Sequence, residues 1–310
     1  MKKFAVVFPG QGSQSIGMLS SVMDNEIVKD TYDKASEALG YDMRDITLNG
    51  PLSELNKTEV TQPAILTASI AAFRLFSQSA HTPSAFAGHS LGEYSALVAA
   101  GALDFSDAVR LVRLRGQAMQ EAVPQGKGAM MAVLGLDDDV ILECCKEATQ
   151  GDDAVWAANF NSVGQVVISG AKDAVARAGE LLTQKGARRV VALSVSAPSH
   201  CPLMQEAANR LEKELSCINI NDINVPVYAN AYAKPVMKKD DIVKALILQL
   251  TGPVRWVETV VAIKNDGIEC IIEAGPGKVL AGLNKRIDKT LGSGNVFDMD
   301  SLQKSLEIIA

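Results

Sequence analysis

Short apolar runs alternate with longer amphipathic segments along the chain. The run at 4–8 consists of five apolar residues ended by Pro9, as expected for a buried strand that leads into a loop. A second run at 84–87 is followed closely by a helix-forming segment at 93–100. Strands that alternate with helices are typical of a parallel sheet with helices packed against it. The predicted fold class is therefore α/β, with a parallel sheet in a large domain.

The same signals recur in the flanking parts of the chain. Pro63 precedes one amphipathic segment, and a proline is favourable at the first position of a helix because its missing N–H has no partner there. We therefore expect that helix to open at Pro63. That helix is expected to cover 64–76. Further helices are predicted at 104–122, 202–215, 240–250 and 254–265, and further strands at 225–228 and 268–272.

The middle of the chain has a different order of elements. Between 127 and 196 the pattern predicts strand, helix, strand, strand, helix and strand, which is the βαββαβ order of a ferredoxin-like fold. We therefore expect a small ferredoxin-like domain at 127–196, inserted into a large α/β domain formed by 1–126 and 197–310. Its strands are expected at 129–134, 154–159, 165–169 and 188–193, and its helices at 137–148 and 172–184.

A serine lies between the second predicted strand and the helix that follows it. The segment Gly88-His89-Ser90-Leu91-Gly92 has the G-x-S-x-G pattern of a nucleophile elbow, in which a tight turn exposes the serine hydroxyl. The start of the following helix offers free N–H groups to a developing oxyanion. Because G-x-S-x-G also occurs by chance, a turn without chemistry is the alternative.

A nucleophilic serine needs a base, and the chain has three histidines. His81 lies in a polar loop, where we expect it to be solvated. His89 adjoins Ser90 and is expected to point away from it. His200 follows a loop at the return from the insertion, and the pattern leaves a base and a structural role equally open. Cys201 is not favoured as a nucleophile, because neighbours in sequence rarely present their side chains to each other.

One arginine lies on the apolar face of a predicted helix. At about 100° per residue, Arg115 falls in the middle of the apolar stripe of the helix at 104–122, whereas Arg110 and Arg113 point towards the polar side. A buried guanidinium is costly unless an anion meets it. That anion is either a structural Asp or Glu, or a substrate carboxylate held by two parallel hydrogen bonds.

Composition excludes several classes of protein. Hydrophobic residues make up 47% of the 310, which excludes disorder, and the net charge of −6 without blocks of like charge argues against nucleic acid as a partner. The longest apolar region is interrupted by His89 and Glu93, so no membrane span is expected. The five cysteines lack metal-site spacing, which predicts reduced thiols, a cytoplasmic location and no metal.

The glycine-rich segment after the first strand does not predict a dinucleotide site. Gly10-Gln11-Gly12 lacks the third glycine of that fingerprint, and no phosphate-binding lysine motif occurs in the chain. No permanently bound cofactor is expected. Backbone amides near Gln11 are instead available as a second oxyanion donor, although a turn without a chemical role fits the same pattern.

Several motifs occur together and in a fixed order. They are F-P-G-Q-G-S-Q (8–14), T-Q-P-A (61–64), G-H-S-L-G-E-Y (88–94), R-x-x-x-M-Q (115–120), G-A-M-M-A-V-L-G (128–135), N-F-N-S-x-G-Q-V-V-I-S-G (159–170), A-P-S-H (197–200), P-V-R-W (253–256) and E-A-G-P-G (273–277). In this set the chain resembles, from end to end, the malonyl-CoA:acyl carrier protein transacylases of bacterial fatty acid synthesis. Val163 stands at a position where relatives commonly have proline. A-P-S-H differs from the H-A-F-H and Y-A-S-H forms of modular polyketide acyltransferases, which favours a free-standing malonyl enzyme.

The resemblance implies a role for each candidate residue. Ser90 corresponds to the nucleophile, His200 to its base, and Arg115 to the arginine that binds the malonyl carboxylate. The other positions hold groups in place or line the pocket: the backbone N–H groups of Gln11 and Leu91 for the oxyanion, the main-chain carbonyl of Gln249 for the histidine, and Gln62, Met119 and Asn159 for the pocket wall.

The implied reaction transfers malonyl from malonyl-CoA to the phosphopantetheine thiol of acyl carrier protein through a malonyl-serine ester. The expected protein is a monomer that binds an acidic carrier transiently through a local basic patch. Two groups of basic residues are candidates for that patch: Lys185, Arg188 and Arg189, and Lys278, Lys285, Arg286 and Lys289. The alternatives are a serine thioesterase or esterase, a patatin-like hydrolase with Asp266 as the acid, and a non-catalytic carrier-binding module.

Overall fold

A computed structural model describes residues 1–193 and 197–310. Over these residues the strands are β1 (Phe4–Phe8), β2 (Ala85–Gly88), β3 (Gly128–Leu134), β4 (Val155–Ser162), β5 (Gln165–Ala171), β6 (Arg189–Ala192), β7 (Val227–Ala229), β8 (Lys234–Val236), β9 (Cys270–Ala274) and β10 (Gly292–Val296). The helices are α1 (Glu26–Leu39), α2 (Met43–Asn49), α3 (Leu52–Leu55), α4 (Thr58–Ser77), α5 (Gly92–Ala99), α6 (Phe105–Ala122), α7 (Asp138–Ala148), α8 (Lys172–Gln184), α9 (Gln205–Leu215), α10 (Lys239–Thr251), α11 (Trp256–Asn265), α12 (Val279–Ile287) and α13 (Met299–Ile309). Short 3-10 turns lie at Ser20–Val22 and Pro202–Met204.

The large sheet has β1 near its centre. Its strand order is β10-β9-β1-β2-β7-β8, and every pair is parallel except β7 with β8. All residues of β1 are buried, because alternate side chains enter two different cores. Phe4, Val6 and Phe8 pack in the core formed with α1, α4 and α6, whereas Ala5 and Val7 pack against α11 and α12. Helices thus cover both faces, which confirms the α/β prediction.

The second sheet is antiparallel and has the order β4-β5-β3-β6. Its chain order β3-α7-β4-β5-α8-β6 confirms the predicted βαββαβ arrangement, and α7 and α8 share a core with β3, β4 and β5. Two backbone–backbone hydrogen bonds connect β4 of this sheet to the segment before α11 in the described part of the chain: Phe160 N–H donates to the Val254 carbonyl, and Val254 N–H donates to the Ala158 carbonyl, both at 2.9 Å. The end of the predicted insertion, 194–196, lies outside the described residues.

The prediction that a helix opens at Pro63 is wrong. Helix α4 begins at Thr58, and Pro63 lies inside it, where the proline removes one backbone donor. Tertiary packing outweighs that loss, because most of the 20 residues of α4 are buried. The start of α4 also packs closely on α6: a Cβ at Gly116 would lie 2.8 Å from the Thr58 carbonyl oxygen.

Several elements fall outside the sequence predictions. Helices α1, α2, α3, α12 and α13 and strands β8 and β10 were not assigned from the sequence, and β4 continues three residues beyond its expected end at Asn159. Strand β8 has only 3 residues, and three of the five residues of β10 are glycine or serine, so neither shows an apolar alternation. None of the helices in the described part of the chain is long and apolar enough to cross a membrane.

A buried carboxyl group fixes the start of α12. Glu273, at the end of β9, is fully buried and accepts hydrogen bonds from the N–H groups of Leu280 (3.1 Å) and Ala281 (2.8 Å). These donors lie in the first turn of the helix, where backbone N–H groups have no partner inside the helix. Burial raises the pKa of Glu273 from 4.5 to about 7, although its hydrogen bonds from the backbone act in the opposite direction.

This raised pKa makes stability depend on pH. The folded state binds the proton of Glu273 more tightly than the unfolded chain, so its contribution is complete below pH 4.5 and is lost as the pH rises through 7. We expect the unfolding free energy of Glu273→Gln, relative to the wild type, to rise by about 3 kcal/mol between pH 4.5 and pH 8. Urea unfolding at both pH values measures this difference, with the exposed Glu206→Gln as the control. A difference that does not change with pH would contradict the prediction.

Candidate active site

The turn that carries Ser90 is too tight for a side chain at the positions two residues before and two residues after the serine. Ser90 has a φ of 52°, in the left-handed region, between the end of β2 and the start of α5. A Cβ at Gly88 would lie 1.9 Å from the carbonyl of Gly92, and a Cβ at Gly92 would lie 2.0 Å from the carbonyl oxygen of Phe8. The two glycines therefore allow the strand and the helix to approach closely enough to form the predicted elbow.

Ser90 and His200 are in direct contact. Ser90 Oγ lies 2.7 Å from His200 Nε2, and His200 Nδ1 lies 2.8 Å from the carbonyl oxygen of Gln249. Because a carbonyl oxygen only accepts, Nδ1 carries the proton and Nε2 is the acceptor for the serine hydroxyl. Burial, together with the charge of Arg115, lowers the pKa of His200 to about 3. The imidazole is therefore neutral at pH 7 and available as a base.

Arg115 is buried beside this pair, as its position on the apolar stripe predicts. Its side chain is 1% exposed, and the Nη1 group donates to Gln62 Oε1 at 2.8 Å. The Nη2 group donates to Gln249 Oε1 at 3.1 Å and lies 3.4 Å from Ser90 Oγ. Among the described residues no carboxylate forms a salt bridge with Arg115, and its Nε has no partner. The guanidinium thus lies next to the serine hydroxyl with only neutral hydrogen-bond partners.

A cavity of about 440 Å³ brings these groups together. Besides Ser90, His200 and Arg115, its wall contains four of the other predicted site residues. They are Gln11, Leu91, Met119 and Asn159. The remaining two, Gln62 and Gln249, contact Arg115 from outside this wall, and Gln62 Nε2 also approaches Met119 Sδ at 3.5 Å. All nine predicted positions are therefore at or directly behind one cavity.

The loop after β1 lies against the elbow. Phe8 pairs with Gly88 in the parallel register of β1 and β2, and a Cβ at Gly10 would lie 2.5 Å from the His89 carbonyl oxygen. Within residues 1–193 and 197–310, neither the backbone N–H of Gln11 nor that of Leu91 donates a hydrogen bond. Two unpaired backbone donors on adjacent loops suit an oxyanion.

Two residues that sequence reasoning did not select complete the elbow. Asn230, which follows β7, accepts a hydrogen bond from Ser90 N–H through Oδ1 at 2.7 Å and donates from Nδ2 to the Gly88 carbonyl at 2.6 Å. Glu93 is fully buried, and its Oε2 accepts from Asn230 N–H at 3.0 Å and from Gln249 Nε2 at 2.8 Å. Burial raises the pKa of Glu93 to about 7. Glu93 could have been selected from the sequence, because it is a charged residue in a largely apolar segment. No comparable sequence signal marks Asn230.

The other histidines do not contact the serine. His89 points away from Ser90, as expected: its Nε2 lies 2.7 Å from Asn161 Oδ1, and its ring packs edge-on against Trp256. His81 is half-buried against Phe4 rather than fully solvated, and its Nε2 lies 3.1 Å from the carbonyl oxygen of Lys2.

Comparisons with known proteins agree with the motifs. The family model described as acyl transferase domain matches residues 5–299. The malonyl CoA-acyl carrier protein transacylase of Escherichia coli (strain K12) is 51% identical over 310 residues, which covers 99% of this chain and 100% of that protein. The enzyme of that name from Bacillus subtilis (strain 168) is 43% identical and covers 100% of this chain and 98% of that one.

Solved structures give the same result. A malonyl CoA-acyl carrier protein transacylase from Coxiella burnetii superposes with a TM-score of 0.97 at 45% identity, covering 99% of this chain and 98% of that one. A type II polyketide synthase acyl-carrier protein in complex with its malonyl-transacylase gives a TM-score of 0.96 at 50% identity, with 98% and 99% covered. The predicted resemblance is confirmed, and the chain belongs to the acyl transferase domain family.

Proposed function

We propose that this acyltransferase moves the malonyl group from malonyl-CoA to the phosphopantetheine thiol of acyl carrier protein, and so supplies fatty acid synthesis. The observation that carries the proposal is Arg115, a buried guanidinium without a carboxylate partner, 3.4 Å from the hydroxyl of Ser90. Malonyl thioesters end in a carboxylate, which satisfies such a cation, whereas acetyl thioesters do not. The relatives named above support the same substrate and carrier.

In the first half of the reaction, Ser90 Oγ attacks the thioester carbonyl carbon while His200 Nε2 takes the hydroxyl proton. The backbone N–H groups of Gln11 and Leu91 stabilise the resulting oxyanion. The C–S bond then breaks, His200 returns the proton to the leaving sulfur, and CoA departs as the thiol. A malonyl ester remains on Ser90.

In the second half, the carrier's phosphopantetheine thiol gives its proton to His200 and attacks the ester. The C–O bond breaks, Ser90 regains its proton, and the malonyl thioester leaves with the carrier. The carbonyl of Gln249 keeps the proton of His200 on Nδ1 throughout, so Nε2 stays directed at the reacting groups. No permanently bound cofactor takes part in these steps.

The first rival is a serine thioesterase, which would pass the same acyl group to water. An α/β-hydrolase places its histidine near the end of the chain, whereas 110 residues follow His200 here. A patatin-like dyad is also disfavoured, because Asp266 pairs with the hydroxyl of Tyr228. A non-catalytic binding module is disfavoured by the short contact between Ser90 and His200. We also propose that the protein is a monomer. A location in the cytoplasm is proposed because all five cysteines are unpaired thiols.

The two-step transfer is tested by intact-protein mass spectrometry. Wild type mixed with malonyl-CoA is expected to gain one malonyl group, and phosphopantetheinylated carrier protein is expected to remove it and become malonylated. Ser90→Ala should gain nothing, because no hydroxyl remains to form the ester. An adduct lost to water with the carrier uncharged would support the thioesterase, and the absence of both adduct and carrier charging would reject malonyl transfer.

The role of Arg115 is tested by Arg115→Ala. We expect kcat/KM for malonyl-CoA to fall by about a hundredfold, since a buried charge-assisted contact is lost, while acetyl transfer rises relative to malonyl transfer. Steady-state assays with both thioesters measure the ratio. Arg110→Ala, on the exposed side of the same helix, is the matched control. Unchanged malonyl selectivity in Arg115→Ala would refute the carboxylate contact.

Of the two basic groups, the one around α12 is the better docking surface for an acidic carrier. The residues of both groups are exposed, and none is in a salt bridge within the described chain, so the choice depends on where each group lies. Arg286 donates to Gln165, and Gln165 lines a second cavity of about 190 Å³ with Gln11 and Val279. This group therefore borders the loop that carries the proposed oxyanion donor.

Charge reversal tests this docking surface. Lys285→Glu combined with Arg286→Glu is expected to raise KM for the carrier protein about tenfold while leaving the rate of Ser90 malonylation by malonyl-CoA unchanged. The matched control is Lys185→Glu with Arg189→Glu, which reverses two charges in the other basic group. An unchanged KM in the first variant, or an equal rise in both, would reject the α12 surface.

A further inference from the structure

Both peptide groups of Ser90 are bound by side chains from distant parts of the chain. The N–H of Ser90 donates to Asn230 Oδ1 at 2.7 Å, and its carbonyl accepts from Gln249 Nε2 at 3.0 Å. Ser90 has a positive φ, which is strained for a residue with a side chain. These two contacts hold the strained conformation from both sides.

A single carboxyl oxygen binds both of these residues, Asn230 through its backbone and Gln249 through its side chain. Glu93 Oε2 accepts from the backbone N–H of Asn230 at 3.0 Å and from Gln249 Nε2 at 2.8 Å. Asn230 and Gln249 come from different elements, the loop after β7 and helix α10, and both reach the elbow where α5 begins. Without an acceptor at this point, two buried donors would lose their partner.

The same contact determines how the Gln249 amide faces Arg115. Because Nε2 donates to Glu93 and to the Ser90 carbonyl, Oε1 is left to accept from Arg115 Nη2 at 3.1 Å. The reverse orientation would put an amide oxygen against a carboxyl oxygen and an NH₂ group against a guanidinium. Glu93 therefore also positions the Arg115 guanidinium, which is proposed to bind malonyl, through the amide of Gln249.

We propose that Glu93 is a positioning residue, whose Oε2 holds Gln249 and Asn230 so that Ser90 stays in its strained turn and Arg115 stays aimed at the substrate carboxylate. The inference rests on the malonyl transfer proposed above. According to this inference, the length of the Glu93 side chain matters, because it puts Oε2 within hydrogen-bond distance of both donors. The negative charge of the carboxylate is not required.

Two substitutions separate reach from charge. Glu93→Asp keeps the charge but shortens the side chain, so its oxygen cannot bridge both donors. Glu93→Gln keeps the length and one oxygen that accepts from both, but removes the charge. We expect Glu93→Asp to lower the ratio of kcat/KM for malonyl-CoA over acetyl-CoA about tenfold, and Glu93→Gln to stay within about threefold of the wild-type ratio.

The ratio is a readout that a general loss of folding does not move, because misfolded protein lowers both activities equally. Rates are normalised to the fraction of protein that acquires an acyl group in the mass spectrum. Glu273→Asp, which shortens the fully buried carboxyl beneath α12, is the matched control; it is expected to lower thermal stability and leave the ratio unchanged.

A wild-type ratio in Glu93→Asp would overturn the inference, and so would an equal loss in Glu93→Gln, which would assign the effect to charge. A fall in the ratio for Glu273→Asp as large as that for Glu93→Asp would overturn it too, since any buried carboxyl would then do the same. If the wild type itself acquires no malonyl group, the proposed function fails instead.

Discussion

The close approach of the Ser90 turn to the end of β1 is the constraint on which the site depends. Gly92 packs directly on the Phe8 carbonyl, so the first turn of α5, the end of β2 and the loop after β1 meet at one point. The nucleophile and two backbone donors are thereby brought together by the register of parallel strands. The backbone N–H of Gln11 lies at the site because this residue follows β1. Its position does not depend on the contacts of the Gln11 side chain.

The charge of Arg115 acts on the chemistry as well as on the substrate. Burial, and then this nearby cation, keeps the pKa of His200 low, so the base is unprotonated before substrate arrives. Under the proposed reaction, a malonyl carboxylate offsets the cation and raises the proton affinity of His200. Substrate binding would thus strengthen the base at the step in which it takes the proton from Ser90.

The residues that carry a local sequence signal were predictable. Ser90 lies in a short motif between two elements, and Arg115 interrupts an apolar stripe, so both could be selected as candidates before any contact was known. Asn230 could not, because its contact with Ser90 spans 140 positions and depends on β7 lying beside β2. Pro63 misled the helix prediction because burial along α4 outweighed a local rule. Resemblance to a family supplied roles that the pattern left open, such as that of Gln249.

The wall of the cavity is divided between the two sheets. Ser90 follows a strand of the large sheet, whereas Asn159, Met130 and Val167 belong to strands of the small one. The groups proposed to make and break bonds and this part of the pocket wall therefore belong to separate sheets. Mutations that enlarge or reduce this part of the pocket can therefore arise in the small sheet without changing any residue of the elbow. Such an arrangement lets substrate range diverge among descendants of one gene while the acylation chemistry is inherited intact.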